Sequence, residues 1–202
     1  GEYFYRAVTE DIEKIDMVLN GLVNYIKLKS PIRKTDTVYR LIEEELRKHH
    51  SKLEGKGIKL FKKFEKDLPE TIVPDEQLRY IFSSVLEYAL ANVSPNLSMG
   101  LYTRSVTLGK EAEGPDMIKK DGRYIEISLG FMGYRKPTEQ GTGGMTLQKE
   151  EPLDLVLRFV KEVVLRNRGT MRIEADESKS KTFIFMRFPV ERRKVVYYQS
   201  MN

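Results

Sequence analysis

Cysteine is absent from the 202 residues. That excludes disulfides and thiolate metal sites, and it fits a reducing cytoplasm. Histidine is nearly absent too: the only two, His49 and His50, are adjacent, which leaves little scope for a histidine-built metal centre or catalytic triad. No run approaches the roughly 18 apolar residues that a membrane span needs, and no signal-peptide pattern opens the chain. Internal repeats and low-complexity tracts are missing. So are two nucleotide motifs, because no G-x-G-x-x-G occurs and the cluster "GTGGMT" lacks the Lys-Ser or Lys-Thr that ends a phosphate loop.

What remains is an ordinary globular composition, with 40% hydrophobic and 32% charged residues, enough for one domain with an appendage or two small domains. The net charge of +5 comes from 35 basic and 30 acidic residues that are largely interspersed. Two blocks, "RNRGTMR" and "VERRKVVYY", are basic enough for nucleic acid or anionic lipid. No aromatic interleaving or groove-reading helix accompanies them, so they read as solvated faces, and both partners are set aside.

Periodicity orders the elements. Tyr5, Val8, Ile12, Ile15, Leu19, Leu22 and Ile26 recur in alternating steps of three and four, a narrow heptad seam of the kind that packs against partner helices. This first helix is expected to end near Pro31. A second helix is expected over "TVYRLIEEELRKHHSKLEGK", then a strand in "GIKLFKKFEKDLP". A third helix follows, with Asp75 as N-cap and Leu78, Ile81, Phe82, Val85 and Ala89 on one face. Strands follow at "SMGLYTRSVTL" and "GRYIEISL", the second turning Ile125, Ile127 and Leu129 to one side. The stretch "ISLGFMGYRKPTEQGTGGMTLQKEEP" carries five glycines from Gly130 onward and invites reading as a phosphate cradle. A fourth helix with Leu153, Val156, Leu157, Val160 and Val164 inward precedes a closing hairpin around "ESKSK". Strands mixed with helices and closed by a hairpin predict an α+β sandwich, a mixed sheet with helices on one face.

The order of elements resembles the C-terminal half of two-component sensor histidine kinases. "IEKIDMVLNGLVNYIKLKSP" is similar to the second helix of their dimerisation bundle. The segment from "LIEEELRKHH" to "YALANVSP" is similar to the first part of the ATP-binding domain of the GHKL (Bergerat) type. "LDLVLRFVKEVVLRNRG" and the hairpin after it resemble that domain's last helix and strands. The resemblance implies a partial bundle helix at 1–32, a GHKL domain at 33–190 and a tail at 191–202. Its seam would comprise Ile12, Ile15, Leu19, Leu22 and Ile26, joining a homodimer or heterodimer. The start at Gly1 gives the expectation that a first helix with the phosphoacceptor histidine, and a sensor or membrane tether, lie outside this chain. His49 and His50 lack that motif's context and read as surface residues.

The family's chemistry is where the likeness thins. Ser84 and Tyr88 stand where two asparagines four apart would face phosphate and Mg²⁺, and a phenol is a poor ligand for a hard cation. Asn92, one turn later, is a candidate substitute. Glu87 is a candidate to activate a hydroxyl or water, or simply a solvated helix charge. Where an aspartate and two glycines would meet adenine, the chain has Leu129, Phe131 and Gly133, so only the last glycine survives. The lid glycines map either on Gly141, Thr142 and Gly143, or without gaps on "PLDLVL", where Pro152 and Asp154 replace glycines. The ungapped register leaves "RKPTEQGTGGMTLQKEEP" as a leftover lid rather than a cradle. These departures imply a pseudokinase, with no cofactor, that recognises a response regulator or a kinase partner in the cytoplasm. The alternative is an active domain that binds ATP and Mg²⁺ and acts as an ATP:protein-histidine phosphotransferase on a histidine elsewhere, with Glu87, Asn92, Gly133, Gly141, Thr142 and Gly143 as its working remnants.

Overall fold

The computed structural model describes residues 1–27, 36–108, 122–133 and 152–191. Among these residues the chain runs α1 (Glu2–Lys27), α2 (Val38–Lys48), α3 (His50–Gly55), β1 (Lys59–Phe64), α4 (Asp75–Asn92), β2 (Ser98–Leu108), β3 (Gly122–Met132), α5 (Pro152–Arg166), β4 (Thr170–Asp176) and β5 (Lys181–Pro189). The expected order of helices and strands is therefore met. The five strands form one sheet in the order β1-β2-β3-β5-β4. β1 runs parallel to β2 and every other pairing is antiparallel.

Strand alternation sorts the sheet into two faces. On the covered face, register lines Leu101 up with Leu129, Leu129 with Ile184, and Ile184 with Ile173. The next row carries Ile127 and Met186, and it lies with α2, α4 and α5 in one continuous apolar core. Leu78, Ile81, Phe82, Val85 and Ala89 of α4, and Val156, Leu157, Val160 and Val164 of α5, are buried as their spacing predicts. Burial of such a side chain contributes about 1.5–3 kcal/mol, and this stripe anchors the helix layer.

α2 starts where the sequence supplies a cap: Thr37 Oγ1 accepts from Arg40 N at 3.2 Å. The second helix is not continuous, however. His49 adopts φ −97° and ψ 4° and separates α2 from α3. Asp75 is not an N-cap either. Pro74 takes that position, and the Asp75 carboxylate accepts from the backbone N–H of Asp36 at 2.9 Å. β3 runs on through Gly130 and Phe131 to Met132, so the glycine-rich stretch begins as strand rather than loop.

α1 lies against α5 and α4. It turns Met17 toward the core and buries Gly21. Ile12, Ile15 and Leu19 point away from that contact and are 52–54% exposed, whereas Leu22 is half-buried. The side chain of Ile26 lies outside the described part of the structure.

Candidate functional site

The residues singled out by the sequence meet where the C-terminal half of α4 passes the end of β3. Tyr88 is 5% exposed, and its ring stands edge-on to Phe131 with centroids 6.4 Å apart and planes at 70°. Edge-to-face pairs of this kind contribute about 0.5–1.5 kcal/mol beyond the area they bury. Phe131 is paired in register with Met99 on one side and Thr182 on the other, and Leu129 and Ser84 are buried. The positions expected to face a nucleotide are thus part of the interior.

Asn92 and Gly133 are brought together, but for structural reasons. Asn92 Nδ2 donates to the Tyr88 carbonyl at 2.8 Å, closing the last turn of its own helix. Gly133 has φ +154°, and a Cβ there would overlap the Asn92 carbonyl oxygen. Only glycine lets the end of β3 lie this close to the end of α4. The Gly133 N–H donates to Ser180 O at 2.7 Å, its carbonyl accepts from Thr182 Oγ1 at 2.8 Å, and Ser94 N donates to Met132 O at 2.9 Å. These backbone groups are committed to joining α4, β3 and the β4–β5 turn, where a phosphate cradle would need donors turned toward a ligand. Gly141, Thr142 and Gly143 lie outside the described residues.

Glu87 turns the other way, toward the α2–α3 break, and it is not simply a solvated charge. Its Oε1 lies 3.6 Å from His49 Nε2, while His49 Nδ1 donates to the Glu45 carbonyl at 2.8 Å. His49 is 6% exposed, so its reading as a surface residue is corrected; the His50 side chain is exposed. Burial alone would lower the His49 pKa. The hydrogen bonds to Glu87 and the Glu45 carbonyl, with the two carboxylate charges, outweigh that and raise it above 6.5. Glu45, itself 2% exposed, pairs with Lys48 at 3.0 Å. A sequence signal for this cluster existed: Leu41, Glu45 and His49 are spaced four apart, in phase with the buried stripe of α2.

The pair expected to coordinate the metal is a buried serine and a buried tyrosine packed on phenylalanine. The space between helices and sheet near Ile42, Phe82, Leu129 and Met186 is an apolar cavity of about 20 Å³, against the roughly 300–1,000 Å³ of a pocket that takes a small-molecule ligand. No group of three or more His, Asp or Glu residues is placed to hold a metal ion among the described residues.

This sheet and helix layer has the fold of histidine kinase catalytic domains. Its solved neighbours include the Acinetobacter baumannii histidine kinase AdeS, at 10% identity and a TM-score of 0.57, covering 95% of this chain and 86% of that one. The mycobacterial sensor histidine kinase MprB matches at 18% identity and a TM-score of 0.57, covering 80% of this chain and all of its own. The catalytic domain of histidine kinase ThkA in a nucleotide-free form matches at 12% identity and a TM-score of 0.56, covering 77% and 94%. No family model and no curated protein matches the sequence. At these identities the likeness is one of fold.

Proposed function

We propose that this chain is a histidine-kinase-like signalling protein whose nucleotide site is degenerate, a pseudokinase acting in the cytoplasm through protein–protein recognition in two-component signalling. The observation that carries this reading is the Tyr88–Phe131 pair. It buries two aromatic rings where the resemblance calls for a metal-binding amide and a glycine. Leu129 supports it, because an adenine amino group there would lose a charged acceptor worth about 1.5–3 kcal/mol. Asn92, the candidate substitute, and Gly133, the surviving glycine, both serve the packing of α4 on β3.

The partner is a response regulator or a kinase subunit. The outward stripe of Ile12, Ile15 and Leu19 is the surface for a homodimer or heterodimer. Replacing Leu19 with Asp should abolish self-association in sedimentation velocity. A wild-type chain that stays monomeric at high concentration would show that the stripe needs a further helix.

The decisive test of the site is calorimetric titration of the chain with ATP and ADP, with and without Mg²⁺. No binding up to millimolar nucleotide is expected. Micromolar, Mg²⁺-dependent binding would overturn the reading in favour of an active domain that phosphorylates a histidine outside this chain.

A further inference from the structure

The face of the sheet turned away from the helices has a composition of its own. Alternation places Phe61 of β1, Tyr102 of β2, and Phe183 and Phe185 of β5 on it. In the middle of this face two glycines, Gly100 and Gly130, are direct cross-strand partners. Tyr102 lies over the first, since a Cβ on Gly100 would come within 2.5 Å of its hydroxyl; Phe183 lies over the second, with a Cβ on Gly130 at 2.6 Å from its ring. The rings therefore lie along the sheet rather than inserting into a core. Phe183 and Phe185 are near-parallel, with centroids 6.1 Å apart and planes at 21°. Phe61 is 58% and Tyr102 40% exposed.

The charges around these rings are mostly positive. Lys59 and Lys63 flank Phe61 on the same side of β1, and among the described residues they meet no carboxylate. Lys62, on the opposite side, is paired with Glu43 of α2 at 2.8 Å. At the far edge the Arg172 guanidinium sits 4.4 Å from the Phe185 ring centroid. Along one border Arg104 and Arg187 each approach Glu126 at 2.8 Å, so the buried carboxylate is more than neutralised. Glu174 is matched by Arg172 at 2.8 Å.

We propose that this open face binds single-stranded nucleic acid, with bases stacking on Tyr102, Phe183 and Phe61 and the phosphate backbone tracking Lys59 and Lys63. Aromatic rings presented on a sheet surface hold unpaired bases in this way, and stacking tolerates any base because each has a π-face. A second copy of the face would set cations against cations, which disfavours self-association there. In the linear sequence the basic blocks lack interleaved aromatics; strand register supplies that interleaving across β1, β2 and β5. The inference is independent of whether the nucleotide site binds ATP.

The test is fluorescence anisotropy of the 202-residue chain with labelled oligo-dT and oligo-U, a duplex of equal length, and polyglutamate as competitor. Single strands are expected to bind more tightly than duplex and to be displaced by unlabelled oligonucleotide but not by polyglutamate of equal charge. The double substitution Tyr102→Leu and Phe183→Leu keeps Gly100 and Gly130 covered while removing the ring faces, so folding can be checked by circular dichroism. It should weaken binding about thirtyfold, at roughly 1 kcal/mol per stacked base. Lys59→Gln with Lys63→Gln, two exposed positions, should reduce the salt slope by about 1.4, near 0.7 for each phosphate no longer neutralised. Absence of binding at low salt up to protein concentrations on the order of 100 μM overturns the proposal. So does binding that ignores the ring substitutions, that favours duplex, or that yields equally to polyglutamate.

Discussion

The two faces of the sheet solve the same problem with different materials. The covered face relies on aliphatic side chains pressed under helices: Ile125, Ile127, Leu129, Ile184, Met186 and Phe188 are each at most 1% exposed. Among the described residues the open face has no helix above it. It shields its backbone with rings laid over glycines and ties its strands with the Arg104–Glu126–Arg187 bridge. The comparison bears on function because Tyr88 and Leu129, where the resemblance would set nucleotide contacts, are buried on the covered face. The open face is where polar, charged and aromatic groups remain available to a partner.

The largest effect should come from returning an acid to the covered face. Leu129→Asp would place an unpartnered carboxylate among Leu101, Ile184 and the helix layer, at a cost of about 4 kcal/mol or more, read as a lower urea midpoint. A folded variant with near-normal stability would show that polar groups or ligand can reach this position after all, and the contrast between the faces would collapse. Next is the bridge on the open face. Glu126→Gln should cost about 2 kcal/mol by weakening two charge-assisted hydrogen bonds, a figure already discounted because the Arg104 side chain is 64% exposed.

The bridge also has a pH signature. Burial alone would raise the Glu126 pKa, but the hydrogen bonds and charges of Arg104 and Arg187 hold it below the ordinary 4.5. Its contribution is complete above 4.5 and is lost as pH falls through the lower folded value. Denaturation curves between neutral and acid pH should lose that part of their slope in Glu126→Gln.

Thr37→Ala, which removes the cap of α2, should cost about 1 kcal/mol, measured as a shift in thermal midpoint. The smallest effect belongs to His49. With its folded pKa raised above 6.5, its protonation stabilises the chain fully below 6.5, and that contribution fades as pH rises through the folded value. His49→Gln should flatten stability against pH just above 6.5 while changing the midpoint at pH 8 little. A slope unaltered by the substitution would mean that Glu87 does not hold the imidazolium.

Element order was legible in the sequence because helix and strand periods are local, and Leu78 to Ala89 on α4 and Ile125 to Leu129 on β3 carry them without interruption. Asp75 was misread because its partner, the Asp36 amide, is 39 residues away. His49 was misread because residue type suggested surface, although its phase with Leu41 and Glu45 indicated the interior. Ser84 and Tyr88 stand on α4 and Leu129 on β3, as their periods implied, but whether Tyr88 projects into a pocket or fills it depends on Phe131, a neighbour supplied only by the fold. The ring platform had no local signal, since Phe61, Tyr102 and Phe183 belong to three strands joined only by register.

The two edges of the sheet are also reached by very different routes. β4 joins β5 through the four-residue turn at 177–180, whereas β1 reaches its parallel partner β2 only after the whole of α4 has been threaded between them. Closing the longer connection costs more chain entropy before any contact repays it. The β4–β5 hairpin is therefore expected to form early, and β1 to dock late and open first. Amides of β1 should therefore exchange with solvent before those of β5. Lys59, Phe61 and Lys63 would then leave the platform as a unit, making that end of the open face more transient than the end at β5.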